Sequence, residues 1–202
     1  MARILGITGN IACGKTAVGR MLLDLGVEKY IDADALVHGL YLSGQPVARE
    51  LAATFGDAVM AEDGSVDRQA LGSLVFQDPA ALRRLEAIVH PAVGVAMLET
   101  LSAVSPTGIA VIDAVKLLEG GSGALCQSKW LIICPEEQEL GRLMARNSLS
   151  EDEARARLQA QPSNELRLPL VDEVIDNGGS LTETRRQVKA AFQRFNERFP
   201  AV

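Results

Sequence analysis

The sequence predicts an α/β fold built around a parallel β-sheet. Two observations predict it: short apolar, β-branched runs alternate with longer stretches of helical period, and the first run leads through a glycine-containing loop into an amphipathic helix. With 202 residues, 48% of them hydrophobic, the chain has room for one large domain or two small ones and can bury a sizeable core. The candidate strands are residues 3–8, 27–31, 109–113, 130–134 and 173–176.

The first and last helices have clear boundaries in the sequence. An apolar stripe between Gly14 and Gly26 predicts a helix that follows the first glycine and stops at the second. The last helix is predicted to begin at a capping box that runs from Ser180 to Glu183. Its buried stripe should consist of Val188, Phe192, Phe195 and Phe199.

Two intervals interrupt the alternation of strands and helices. Residues 35–106 have helical patterns throughout, with helices at 46–55 and 67–76 and a third that Asp78-Pro79 opens. The third helix should bend or break at His90-Pro91, because proline disfavours helix at the residue before it.

The second interval, residues 135–171, is the most charged part of the chain. Ser150-Glu151-Asp152-Glu153 predicts a helix start with a capping box. All basic residues of this interval are arginines, and none is a lysine. Arginine is the better ligand for phosphate groups. Its arginines include Arg142, Arg146, Arg155, Arg157 and Arg167.

Composition excludes several classes of protein. A net charge of −6 argues against a general binder of nucleic-acid backbones, and 4% aromatic residues argue against stacking platforms for single strands. No uninterrupted apolar run approaches the roughly 18 residues that span a bilayer, and no secretory signal precedes Gly9. Three cysteines without CxxC spacing indicate a reducing compartment and no zinc site. We therefore expect a cytoplasmic protein without nucleic-acid or membrane partners.

The strongest motif is a P-loop at the end of the first candidate strand. It follows the pattern G-x-x-x-x-G-K-[ST], in which the turning backbone directs N–H groups at phosphate oxygens. Lys15 would reach the β- and γ-phosphates of a nucleotide, and the hydroxyl of Thr16 would ligate Mg²⁺. The residues of the motif are Gly9, Asn10, Ile11, Ala12, Cys13, Gly14, Lys15 and Thr16.

Acidic residues stand at the ends of two other candidate strands. Asp32-Ala33-Asp34 follows the second strand, and both carboxylates would share one face if the strand continued. One of them would orient a hydroxyl nucleophile and accept its proton, unless Asp34 instead caps a helix that begins at Ala35. Asp113 ends the third strand as a Walker-B-type metal residue or as a turn residue.

Among P-loop proteins, the length favours a small-molecule kinase. A switch GTPase should carry an Asn-Lys-x-Asp segment, which the sequence lacks, and a transport or motor ATPase normally needs a longer chain. The alternatives are a nucleotide or nucleoside kinase with another acceptor, and a non-catalytic nucleotide-binding regulator.

Taken in order, the motifs resemble those of the dephospho-CoA kinase family over nearly the whole chain. Residues 7–16 stand in place of that family's Leu-Thr-Gly-Gly-Ile-Gly-Ser-Gly-Lys-Ser. The P-loop alone is common to many enzymes, whereas the ordered set is specific. The other matching positions are Asp32-Ala33-Asp34, Phe55-Gly56, Asp63-Gly64, His90-Pro91, Val115-Lys116-Leu117-Leu118-Glu119, Arg142, Arg146, Gln161 and Val174-Ile175-Asp176-Asn177.

The resemblance implies the final step of CoA biosynthesis, in which ATP phosphorylates the ribose 3′-hydroxyl of dephospho-CoA. It implies a three-layer α/β/α P-loop NTPase fold with a five-stranded parallel sheet, in a monomer or small homo-oligomer. The nucleotide-binding core would comprise residues 1–34, 107–134 and 173–202. A helical acceptor domain would comprise 35–106, and a helical lid 135–172.

The resemblance also assigns roles to individual residues. Asp34 would be the base or the orienter of the hydroxyl, and Lys15 would hold the phosphates. Arg146, with Arg142, would close over the transferring phosphoryl group. The nucleotide would contact Gly9, Asn10, Ile11, Ala12, Cys13, Gly14, Lys15, Thr16, Arg142 and Asn177. The acceptor would contact Asp32, Asp34 and His90, with His38 and Lys116 as further candidates at positions that depart from the family pattern. Thr16 would hold Mg²⁺, with Asp113 as the strand-end candidate for a second ligand.

The chain departs from the family pattern at several positions. Asn10 and Ala12 replace loop glycines, which we expect to require φ below zero at both. Cys13 replaces serine, either as a small filler or as a thiol whose pKa is lowered by the helix N-terminus and Lys15. His38 replaces the usual arginine, and Lys116 is a candidate for the missing contact to the acceptor.

Overall fold

The computed structural model describes residues 2–119 and 121–201. In this part of the chain, strands and helices follow one another as the sequence patterns predict, with short 3₁₀ turns at Asp57–Val59, Gly121–Leu125 and Leu168–Leu170. The strands are β1 Arg3–Thr8, β2 Lys29–Asp32, β3 Ile109–Asp113, β4 Ser128–Ile133 and β5 Glu173–Asp176. The helices are α1 Lys15–Asp24, α2 Ala33–Leu40, α3 Pro46–Phe55, α4 Arg68–Gln77, α5 Pro79–Ser102, α6 Glu136–Asn147, α7 Glu151–Gln159, α8 Asn164–Arg167 and α9 Leu181–Arg198.

The five strands form one sheet in the order β2-β3-β1-β4-β5. β1 pairs in parallel with β3 and β4, and β4 pairs in parallel with β5. Ile7 of β1 lies opposite Asp113 of β3 and Trp130 of β4. The three inner strands β1, β3 and β4 are mostly buried and are largely apolar runs, as in parallel sheets covered on both faces. The outer strands β2 and β5 each have a single buried residue. The predicted α/β fold with a five-stranded parallel sheet is confirmed.

The chain divides into two compact units. The first comprises residues 1–31 and 101–202 and contains the sheet. Its largest apolar cluster joins the strands to α1 and α9, with Trp130, Leu22 and Val188 wholly buried. Helices α6 and α7 pack on each other around Leu143 and Ala154.

The second unit, residues 32–100, is helical and has an apolar cluster of its own. Leu51 of α3 and Leu71 of α4 lie at the centre of this cluster, together with Val89 of α5. Functional boundaries at 35–106 for an acceptor domain and at 135–172 for a lid stay predictions.

Helix α5 differs from the prediction of a break at His90-Pro91. It runs without interruption from Pro79 to Ser102 with Pro91 inside it. Pro91 has no N–H to donate to the carbonyl of Ala87. Both residues are exposed, so water can bind that carbonyl instead. This helix is also long and apolar enough to cross a membrane, judged by its length and its mean hydropathy of 1.2 alone. Core helices of soluble proteins meet the same criterion.

The helix termini follow the predicted caps, with one exception. Gly26 takes φ of 100°, which ends α1, and Ser150 and Glu153 form the full capping box at α7. At α9, Ser180 accepts from the N–H of Glu183, but the Glu183 carboxylate binds Arg186 instead of returning to the cap. That box is therefore half formed.

Candidate active site

The P-loop joins β1 to α1 and is shaped by its two glycines. Gly9 has φ of 146° and Gly14 φ of 106°, conformations that side chains disfavour. A Cβ on Gly9 would come within 2.2 Å of the Ile132 carbonyl oxygen. One on Gly14 would come within 1.9 Å of Asn177 Nδ2. Glycine is therefore required at both positions by backbone conformation and by close neighbours.

Ala12 contradicts the expectation that the replaced glycines keep φ below zero. Its φ is 64°, in the left-handed region, which costs an alanine roughly 1–2 kcal/mol. Its methyl group packs against the α6–α7 cluster that contains Leu143, and this contact offsets part of that cost. Asn10 does not share the positive φ.

Lys15 and the start of α1 make the loop an anion site. The Lys15 ammonium donates to the carbonyl oxygens of Gly9 (3.0 Å) and Asn10 (3.1 Å), across the mouth of the loop. Helix α1 has neither a side-chain cap nor an acidic residue in its first turn. Its first N–H groups are therefore left without a side-chain acceptor and lie beside a lysine, the arrangement that binds phosphate at helix N-termini.

Behind the loop, Asn177 and Arg142 hold its second half. Asn177 is 4% exposed and donates from Nδ2 to the Cys13 carbonyl (2.8 Å), while its Oδ1 accepts from Thr184 Oγ1 (3.0 Å). Arg142 Nη1 lies 3.4 Å from the carbonyl oxygens of both Ala12 and Cys13. The loop is therefore tied to the end of β5 and to α6.

Cys13 is a buried filler and not an activated thiol. Its side chain is fully buried, and burial raises its thiol pKa to about 11 in spite of the nearby Lys15. The hypothesis that the helix N-terminus and Lys15 lower this pKa is wrong, because loss of solvation outweighs both.

The first half of the loop is held by groups that the sequence analysis did not assign to the site. Gln161 Oε1 accepts from the N–H of Ile11 (2.8 Å). Asn10 donates to Glu139 Oε2 (3.3 Å) and accepts from Arg167 Nη1 (2.7 Å). Glu139 and Arg167 are 2% and 1% exposed. Arg167 was visible only as one of the arginines of residues 135–171, and Glu139 gave no signal among the acids of its helix.

Two candidate magnesium ligands lie in the same unit. Thr16 is exposed in the first turn of α1. Asp113, at the end of β3, is 6% exposed and accepts a hydrogen bond from the Tyr30 hydroxyl. Both supply oxygen donors, the type that Mg²⁺ prefers.

The candidate acceptor residues lie mainly in the second unit. Asp32 is the N-cap of α2 and accepts from the N–H of Ala35 (2.9 Å), and Asp34 lies in the first turn of the helix. The strand therefore ends at Asp32, and the two carboxylates do not share a strand face; the capping aspartate is Asp32, not Asp34. Asp34, His38 of α2 and His90 of α5 are exposed.

The remaining predicted residues are exposed in the first unit. Arg146 lies in the last turn of α6 and donates from Nε to Asn147 Oδ1 (3.0 Å), away from the contacts that Arg142 makes. Lys116 is exposed after β3. Whether either residue meets a substrate stays a prediction.

A cavity of about 420 Å³ lies beside Asn10. Its lining residues include Glu136, Glu139 and Glu165. Burial raises the pKa of Glu139, although the hydrogen bond from Asn10 lowers it. An acidic lining disfavours phosphate groups, so the basic mouth of the P-loop is the better place for a polyanion.

Comparison with known proteins agrees with this geometry. The sequence model of the dephospho-CoA kinase family matches residues 3–183. Dephospho-CoA kinase from Symbiobacterium thermophilum is 44% identical over 193 residues, which cover 95% of this chain and 80% of that protein.

Solved structures agree as well. A Thermus thermophilus protein described as TT1252 has a TM-score of 0.83 and 35% identity, over 96% of this chain and 97% of its own. Dephospho-CoA kinase from Campylobacter jejuni has a TM-score of 0.60 and 27% identity, over 96% and 97%. The expected family is confirmed: this chain belongs to the dephospho-CoA kinase family.

Proposed function

We propose that this protein transfers the γ-phosphoryl group of ATP to the ribose 3′-hydroxyl of dephospho-CoA, giving CoA and ADP. The bond between the γ-phosphorus and the bridging oxygen breaks, and a bond from the 3′-oxygen to that phosphorus forms. The observation that carries the proposal is a fully formed P-loop in a chain that matches one kinase family over residues 3–183.

ATP would bind with its phosphates in the loop. Lys15 and the N–H groups at the start of α1 would hold the β- and γ-phosphates, and Asn177 and Arg142 would keep the loop in shape through its carbonyl groups. Preformed donors of this kind need no rearrangement when charge develops on the transferring group.

Mg²⁺ fits the residues beside the loop. Thr16 would provide a hydroxyl and Asp113 a carboxylate already oriented by Tyr30. Among the described residues, no group of three or more His, Cys, Asp or Glu side chains forms a metal site. An Mg²⁺ ion that is coordinated by the nucleotide phosphates needs few protein ligands, so it does not require such a group. The ion would supply charge neutralisation on the phosphates.

Asp34 would take the proton of the acceptor hydroxyl. It is exposed in the first turn of α2, and the cap of that helix is supplied by Asp32, which leaves the Asp34 carboxylate available. His38, His90 and Lys116 would contact the acceptor, whose phosphates suit cationic partners. Arg146 would close over the phosphoryl group, and its position at the exposed end of α6 leaves it able to move.

The protein would act in the cytoplasm as a monomer or small homo-oligomer, with no nucleic-acid or membrane partner. The net charge of −6 supports this for nucleic acid, because a chain that binds phosphate backbones is normally basic.

A coupled ADP-release assay over a panel of acceptors tests the reaction. Dephospho-CoA should be phosphorylated, and nucleosides and nucleoside monophosphates should not. Preference for another acceptor would replace the proposed substrate, and ATP binding without turnover of any acceptor would indicate a regulator.

Asp34→Asn tests the assigned base. We expect kcat to fall by about 10²–10⁴-fold while the Kd for ATP is unchanged, because proton transfer is lost and phosphate binding is not. Asp57→Asn is the matched control, an exposed aspartate in the same unit. A kcat for Asp34→Asn within threefold of the control would refute the role.

A further inference from the structure

Asn10, at the second position of the P-loop motif, has contacts on both sides that the proposed function does not use. Its backbone carbonyl accepts from Lys15 Nζ (3.1 Å) and from the N–H of Cys13 (3.3 Å). Its side-chain amide donates to Glu139 and accepts from Arg167. Asn10 is therefore hydrogen-bonded both to the phosphate-binding lysine and to two buried charged side chains.

The two charged partners come from the interval between β4 and β5. Glu139 lies in α6 and Arg167 at the end of α8. Both are more than nine-tenths buried, so each needs polar partners in place of water. In the described part of the chain, Glu139 Oε1 and Arg167 Nε have no hydrogen-bond partner. The amide of Asn10 is thus a main polar contact for each of them.

Arg167 extends the same network to the sheet. Its Nη2 donates to the Val115 carbonyl (3.3 Å), which also accepts from Thr8 Oγ1 (3.0 Å). Thr8 is the last residue of β1 and is fully buried. A continuous set of contacts therefore runs from the end of β1 through Arg167 and Asn10 to Lys15.

We propose that Asn10, Glu139 and Arg167 form a positioning network that holds Lys15 in its phosphate-binding place. A glycine at position 10 would leave the two buried charged groups without their shared partner. An amide satisfies both at once, since it donates to the carboxylate and accepts from the guanidinium. The network acts on ATP binding through the loop.

The sharpest test exchanges the amide and the carboxylate between positions 10 and 139, with Asn10→Asp and Glu139→Gln. Asn10→Asp faces the Glu139 carboxylate with a second carboxylate, so the Kd for ATP should rise about tenfold or more. Adding Glu139→Gln restores the donor and acceptor in reverse, because the new amide donates to Asp at position 10 while Arg167 still donates to it. The double variant should bind ATP within about threefold of the wild type.

Glu137→Gln is the matched control, because Glu137 is exposed on the same helix. Combined with Asn10→Asp it removes the same charge without restoring the contact, and it should give no recovery. Equal recovery by Glu137→Gln and Glu139→Gln would show a general charge effect and overturn the network.

Asn10→Gly provides a second variant that introduces no charge. It should fold and bind ATP about three- to tenfold more weakly. If Asn10→Asp and Asn10→Gly both bound ATP with the Kd of the wild type and only their unfolding midpoints were lowered, the role of Asn10 would be purely structural and the proposal would be overturned. The inference rests on ATP as the phosphoryl donor. Because the Kd is measured without acceptor, failure to phosphorylate dephospho-CoA would count against the proposed function alone.

Discussion

Replacing Asn177 by alanine should loosen the P-loop from behind and destabilise the unit that contains the sheet. The side chain makes two buried hydrogen bonds, to the Cys13 carbonyl (2.8 Å) and from the Thr184 hydroxyl (3.0 Å). Asn177→Ala removes both and leaves two buried polar groups short of a partner.

The expected loss is about 2–3 kcal/mol of unfolding free energy. A buried hydrogen bond whose partner is left behind costs roughly 1–3 kcal/mol. Both groups keep a weaker contact, since Arg142 Nη1 is 3.4 Å from the Cys13 carbonyl and Thr184 Oγ1 is 3.3 Å from that of Ser180. The lowest part of that range, about 1–1.5 kcal/mol, therefore applies to each bond. In a domain of this size the Tm should fall by about 5–10 °C.

Urea unfolding followed by fluorescence measures this loss in the correct unit. The chain's one tryptophan, Trp130, is fully buried in β4 of the same unit. Asn147→Ala is the control, because its side chain is exposed and binds only exposed Arg146 among the described contacts. It should change stability by less than about 0.5 kcal/mol. A loss below about 1 kcal/mol for Asn177→Ala would refute the reasoning.

Two further predictions concern buried titratable groups. Because burial raises the pKa of Glu139 above its ordinary 4.5, the stability contributed by its protonated form is lost as the pH rises through the folded pKa. The unfolding free energy of the wild type should therefore fall relative to Glu139→Gln as pH increases above about 4.5 in urea titrations, and parallel curves would contradict this. Burial also raises the thiol pKa of Cys13 to about 11, of Cys126 to about 12 and of Cys134 to about 11. Ellman's reagent at pH 8 should react with the three thiols slowly in the folded protein and rapidly in urea, and a fast phase in the folded protein would count against it.

Much of the sheet was predictable from the sequence because its strands are short, apolar and bounded by turn residues. The bounds of β1, β3 and β5 match the prediction, whereas β4 begins at Ser128, earlier than predicted. Ser128 is polar but buried, and its hydroxyl accepts from the indole of Trp130. A strand prediction based on apolar residues leaves out a buried polar residue such as Ser128, so it places the start of β4 too late.

The position and the glycine conformations of the loop were predictable, whereas the residues that support it were not. Lys15 and the glycines follow from a local motif whose spacing fixes the backbone. Glu139 and Arg167 contact Asn10 across sequence separations of 129 and 157 residues. Only the folded chain brings such residues together. Ala12 was mispredicted because its conformation is set by packing on α6 and α7, which no local rule describes.

The strand order has a consequence for the way in which the nascent chain matures. β1 lies between β3 and β4, so it cannot complete its pairing until residues 109–133, which follow it in the chain, have been synthesised. The loop that follows β1 then waits for Arg167 and Asn177, which are synthesised later still. Nucleotide binding is therefore acquired late in synthesis. Incomplete chains should compete poorly for cellular ATP, and premature truncations should leave the apolar strand β1 exposed to proteases and chaperones.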